Sequence, residues 1–147
     1  MYLLDTNIIS LLDPRRQALV PGLIPWLRRN GGRLFLSVIT LTELEAGILK
    51  LRREGKDKRA DEFESLRQAI EADFGDRILP MDAPVALAVA HISEAARPSV
   101  IELADLIVAA TAQVHGLAVM TRNRRHFEPT GLNVVDPTLG LPAEVTP

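Results

Sequence analysis

The chain contains no cysteine, which excludes disulfides and thiolate metal sites and suits a reducing compartment. No apolar stretch is long enough to span a bilayer without meeting a charge, so no membrane partner is expected. The N-terminus lacks the basic region and small-residue cleavage site of a signal peptide, and the expected location is cytoplasmic. An excess of one charge is missing too. Seventeen Lys and Arg face nineteen Asp and Glu, for a formal charge of −2. Nothing global therefore argues for a nucleic-acid partner, which would have to be held by a local basic patch or through metal ions. There is no HExxH, no P-loop and no serine-centred elbow. The three histidines form no set: His91 and His126 read as isolated, and His115 falls at a helix C-terminus, where a cation is favoured anyway.

What is present fits one domain with a single core. The chain has 147 residues, 47% of them apolar and 24% charged, as in an ordinary globular protein. Short apolar runs alternate with helical patterns, the mark of an α/β domain with a mostly parallel sheet. Strands are expected at Tyr2–Leu4, Leu34–Leu36, Ile78–Leu79, Ala118–Met120 and Asn133–Val135. Helices are expected from Val20 to Arg29, Thr40 to about Arg53, Asp57 to about Phe74, Asp82 to about Ala96, and Ile101 to His115, the last ended by Gly116. No repeat or linker interrupts this order. The expected organisation is a single domain over residues 1–137 and a proline-containing tail over 138–147, lying loosely on the surface from Asp136 on.

The segment "KLRREGKDKRADEFESLR" is strongly charged. It suits a solvated helical hairpin with pairs such as Lys58 and Glu62, or a rim for RNA or a protein partner.

Four polar residues stand where parallel α/β sheets place their ligand sites. Asp5 ends the first strand in "YLLDTNIISLL", either as the N-cap of a helix or as a carboxylate placed for chemistry. Glu43 closes "TLTE", which matches a capping box from Thr40, yet the first turn of that helix also lies beside the end of the first strand. Asp105 is the sharpest. In "VIELADLIVAATAQVHG" the stretch 103–112 is apolar or small apart from this acid and Thr111. A helix apolar almost all round is buried, and a buried carboxylate without a partner costs several kcal/mol. Its helix-face neighbours include Ile101, Val108 and Ala109, none of them a cation, so the acid either pairs with a distant arginine or marks a site.

After the fourth strand comes "MTRNRRHF". Thr121 and Asn123 fall at the strand's carboxyl end, and Arg122, Arg124 and Arg125 form a basic cluster suited to a nucleic-acid backbone. Asn123 is either a turn residue or a partner for a metal-bound water or phosphate. Thr6 could orient the acids from behind. Hard cations need oxygen ligands, and Mg²⁺ takes one or two carboxylates while keeping waters and substrate phosphate. Three acids and an amide suit such ions, and the chemistry they imply is phosphodiester hydrolysis.

With these residues in view the chain resembles the PIN-domain ribonucleases. "LLDTNIIS", "FLSVITLTELEAGI", "ADLIVAATAQVHGLAVMTRN" and "RHF" follow in that family's order and spacing, from Tyr2 to about Pro137. The likeness is strongest to the VapC toxins of bacterial toxin–antitoxin pairs, in their FitB-like branch. The resemblance implies a three-layer α/β/α sandwich around an about five-stranded parallel sheet and an endoribonuclease dependent on Mg²⁺ or Mn²⁺. Its acidic quartet maps onto Asp5, Glu43, Asp105 and Asn123. Asp5 and Asp105, with Glu43 directly or through a water, would be the metal ligands, and Thr6 and Thr121 would support them from behind. Asn123 departs from the aspartate common at its position, and His126, standing where an aspartate is common, reads as a peripheral change. The family also implies a homodimer and a small antitoxin whose C-terminal segment enters the groove and through which alone the pair binds DNA.

Two other classes compete. A PIN-like fold without turnover could serve as a protein- or RNA-binding module, but it would have no need to confine three acids together. A phospho-accepting signalling domain would want a lysine after a late strand, where "VMTRN" offers arginine.

Overall fold

The computed structural model describes residues 1–144; residues 145–147, the end of the expected tail, lie outside the described residues. In chain order the elements are β1 (Tyr2–Leu4), α1 (Thr6–Ile9), α2 (Leu23–Arg29), β2 (Leu34–Ser37), α3 (Val38–Arg53), α4 (Asp57–Phe74), β3 (Ile78–Leu79), α5 (Ala83–Ala95), α6 (Leu103–His115), β4 (Ala118–Met120), α7 (Arg124–Phe127) and β5 (Val134–Val135). The strands pair in parallel in the order β3-β2-β1-β4-β5.

Successive side chains of a strand point to opposite faces, so strands apolar at every position must be covered on both sides. Leu3, Phe35, Val119 and Val134 enter one core; Leu4, Leu36, Met120 and Val135 enter the other. The first core is filled by Val85 and Ile92 of α5, Val108 of α6 and Phe127 of α7. The second is filled by Ile8 of α1, Leu23 and Trp26 of α2 and Ile70 of α4. The result is a three-layer α/β/α sandwich. No helix among the described residues is long and apolar enough to cross a membrane.

Three helix starts shift by two or three residues from the expected ones. Helix α2 starts at Leu23, because Gly22 before it is left-handed with φ 82°, a geometry that cannot continue the preceding turn as helix. Helix α3 starts at Val38 and takes Ser37 as its cap, the Ser37 side chain accepting from the Ile39 N–H at 3.3 Å. Helix α6 starts at Leu103, after Glu102.

The charged segment forms the α3–α4 hairpin. Arg52 on α3 reaches Asp61 at 2.9 Å and Glu64 at 2.8 Å on α4. Glu62 pairs with Arg59 at 3.2 Å in place of the expected Lys58. Arg59 also holds the buried Asp13, keeping that carboxyl below the usual carboxylate range. The loop after α1 is thereby tied to the hairpin.

Up to Glu144 the tail does not lie loosely. Pro137 is buried, Leu141 packs on the second core, and the Trp26 indole N–H donates to the Pro142 carbonyl at 2.9 Å. Arg29 reaches Glu144 at 2.5 Å. A buried indole N–H needs an acceptor, and the tail supplies it.

Strand order fixes where a ligand can enter. The chain winds outward from β1 through β2 to β3, then crosses back to place β4 against the other side of β1. Connections leave β1 and β4 in opposite directions, which opens a crevice beyond their carboxyl ends.

Candidate active site

Asp5 stands at the mouth of that crevice. Its own N–H continues the ladder to the Met120 carbonyl at 2.9 Å, so β4 sets its height. One carboxylate oxygen accepts from the Thr6 N–H at 2.8 Å, and the other accepts from the Thr121 hydroxyl at 2.8 Å. Asp5 is therefore a helix cap and something more. Burial pushes its carboxyl up to about 6. The Thr121 and Thr6 hydrogen bonds pull the other way, and the charges of Asp105 and Glu43 add to the rise.

Thr121 is fully buried and uses its whole hydrogen-bonding capacity, one donor and two acceptor positions. It donates to Asp5 and accepts from Asn7 Nδ2 at 3.1 Å and from the Asn123 N–H at 3.0 Å. Asn7 in turn accepts from the Arg122 N–H at 3.1 Å. Asn7 is thus a cross-brace between the ends of β1 and β4.

Glu43 is not half of a capping box. The α3 cap lies three residues earlier than Thr40, at Ser37, and Thr40 is buried within the helix. The Glu43 carboxylate instead accepts from the Thr6 hydroxyl at 2.6 Å, with Thr40 Oγ1 at 3.3 Å from the same oxygen of Thr6. Thr6 so holds Glu43 toward Asp5.

Asp105 sits in the first turn of α6, at the open end of the fully buried stretch from Leu106 to Ala112. Its side chain is 19% exposed and has a partner: Oδ2 lies 2.9 Å from His126 Nδ1. The expectation of an unpartnered buried acid is corrected on both counts. A carboxylate only accepts, so Nδ1 carries the proton in this bond. His126, which reads as isolated and peripheral, belongs to the site. No local pattern could pair residues 21 positions apart.

Asp5, Glu43, Asp105 and Asn123 line one cleft, together with Thr6, Asn7, Glu102 and His126. Sequence reasoning misses Glu102, whose only signal is its place three residues before Asp105. Of the basic cluster, Arg122 contributes its backbone to the Asn7 brace. Arg124 leans toward Glu128 at 3.8 Å, and Arg125 lines a neighbouring hollow.

Four carboxylates line this cleft, and no lysine or arginine does so among the described residues. Hard oxygen donors with surplus negative charge suit a hard divalent cation. As the side chains stand, no three acids or histidines among the described residues close on one point where an ion could sit. Mg²⁺ needs only one or two carboxylates, the rest of its shell being water or substrate oxygen, so the donor chemistry fits without a closed cage.

This arrangement can be set beside known proteins. Residues 2–131 match the model of the PIN domain. The chain is 39% identical over 140 residues to Toxin FitB of Neisseria gonorrhoeae, covering 93% of this chain and 98% of that protein. It is 34% identical over 144 residues to VapC ribonuclease Y4jK of Sinorhizobium fredii, covering 93% and 97%. The fold matches the structure of FitAB bound to IR36 DNA fragment with a TM-score of 0.80 and 34% identity, over 94% of this chain and 96% of that one. A crevice of acids at the β1–β4 switch point, in a sheet of this order, is thus accompanied by likeness along nearly the whole length, and the chain belongs to the PIN-domain family.

Proposed function

We propose that this chain is an endoribonuclease that hydrolyses RNA phosphodiester bonds with Mg²⁺ or Mn²⁺, and the toxin of a type II toxin–antitoxin pair. The observation that carries the reading is the meeting of Asp5, Glu43 and Asp105, from three distant parts of the chain, in one cleft that no lysine or arginine lines among the described residues. Relatives named as a toxin and as a VapC ribonuclease support it.

Asp5 and Asp105, with Glu43 directly or through a water, are the residues that would hold the cation, and Asn123 is an uncharged oxygen donor beside them. A bound divalent cation lowers the pKa of its water and neutralises charge on a phosphate. The chain's own part is positional. Thr121 and the Thr6 N–H hold Asp5 by one lone pair on each oxygen, leaving the others for the cleft. The Thr6 hydroxyl aims Glu43, and His126 aims Asp105.

The partners of the proposal are an RNA substrate, a second copy of the chain, and a small antitoxin that blocks the cleft. DNA is bound only through that antitoxin, and the site of action is the cytoplasm; one similar structure is FitAB bound to a DNA fragment.

Purified chain freed of antitoxin should cut RNA with Mg²⁺ or Mn²⁺ and stop with chelator, while Asp5→Ala and Asp105→Asn stay folded and inactive. RNA left intact at every metal tested would overturn the proposal.

A further inference from the structure

We infer that the hollow beside the cleft is a subsite for the nucleotide adjoining the scissile phosphate, with Arg125 holding that nucleotide's phosphate; this rests on the ribonuclease reading. The hollow has a volume of about 490 Å³ and shares Glu102, Asp105 and His126 with the cleft. The two depressions are therefore continuous across the Asp105–His126 pair. A polymer whose phosphate lies among the acids has its next residue in this hollow.

The lining has the chemistry of a nucleotide site. Val100, Ile101 and Pro129 supply an apolar wall, and Val100 is 97% exposed. Single exposed apolar residues are ordinary, but Val100, Pro129 and the half-buried Ile101 line this one hollow together with a cation. An unpaired base can spread against such a wall. Arg125 is the cation of the hollow and, among the described residues, has no carboxylate partner, unlike its neighbour Arg124. Glu102 and Asp105 in the same lining repel a polyanion, so the incoming phosphate is directed to Arg125. Duplex RNA keeps its bases stacked and cannot offer one to the wall, so the occupant is single-stranded RNA.

The test is steady-state cleavage of a pool of short single-stranded RNAs with the cut sites mapped, alongside binding of a fluorescent single-stranded RNA in chelator. Arg125→Ala should raise KM about tenfold, the scale of one charge-assisted phosphate contact, with kcat within about twofold of wild type. It should also weaken binding in chelator and flatten the base preference at one position flanking the cut. Arg125→Lys should restore part of the binding as a point charge. Val100→Glu, at a site too exposed to matter for folding, should shift KM in the same direction. Arg53→Ala, on the distant end of α3, serves as the control for loss of one positive charge. Unchanged KM and cut pattern in Arg125→Ala and Val100→Glu, or an equal effect of Arg53→Ala, would sink the subsite while leaving the ribonuclease reading intact. Wild-type chain that cuts no RNA would instead remove the reading beneath it.

Discussion

His126 Nδ1 lies 2.9 Å from Asp105 Oδ2, joining the first turn of α6 to the short helix after β4. The bond fixes which way the carboxylate faces. Residues that orient a metal-binding carboxylate typically matter by about 10- to 100-fold in affinity. His126→Ala should weaken Mn²⁺ binding within that range, and His126→Asn, whose amide can reach where Nδ1 stands, should recover part of it. Calorimetric titration of both variants checks this; equal affinity in wild type and His126→Ala would show that the bond positions nothing.

Thr121 should be sensitive to the loss of one oxygen. In Thr121→Val the shape is nearly kept, but Asp5, Asn7 and the Asn123 N–H all lose a partner. Unpaired buried polar groups cost about 1–3 kcal/mol each before relaxation, so unfolding in urea should show a loss of at least this order. Cleavage should fall with it. Thr121→Ser keeps the hydroxyl and should restore most of both, an outcome that a packing role for the methyl would not give.

Asp5 makes the metal-free protein pH-sensitive in a definite direction. Its carboxyl rises from an ordinary 3.8 to about 6 in the fold, chiefly through burial. The folded state thus binds this proton more tightly than the unfolded chain does. The stability it contributes is complete below the ordinary value and is lost as the pH rises through about 6, a span on the order of 3 kcal/mol. Urea midpoints in chelator, compared between about pH 4 and about pH 7, should therefore fall more in wild type than in Asp5→Asn. Parallel slopes in the two proteins would count against the burial argument.

The C-terminal segment is part of the fold. Trp26→Phe keeps the ring in the second core but removes the donor to the Pro142 carbonyl, which should cost about 1 kcal/mol. Thermal unfolding measures the loss. Carboxypeptidase digestion should also trim the variant faster than the wild type.

Much of this molecule is legible without coordinates. Leu3 and Leu4, Val119 and Met120 are adjacent apolar pairs, and adjacency on a strand obliges two cores, one on each face. The apolar runs mark the five strands to within a residue, and the family resemblance implies the three layers that this logic explains. The same runs also mark Asp5, Asp105 and Asn123 as polar residues at the ends of such strands or at the start of the apolar helix. Local pattern misleads where two local solutions compete. "TLTE" satisfies a capping box, but Ser37, arriving first at the end of β2, caps α3 and leaves Glu43 free for Thr6. Proline in the tail suggests looseness, but the buried Trp26 N–H demands an acceptor, and a distant carbonyl meets it.

Periodicity and burial act over a few residues. The set of elements, their layers and the carboxylates placed among them are therefore written in the chain. Partners are not. Only the folded arrangement sets Thr121 beneath Asp5 across 116 residues and His126 beside Asp105 across 21. The same arrangement turns Arg125 toward the hollow and Arg124 toward Glu128. Those choices follow from strand order, which brings the ends of β1 and β4 together, and a hydrogen bond forms only where backbone geometry delivers both atoms within about 3 Å.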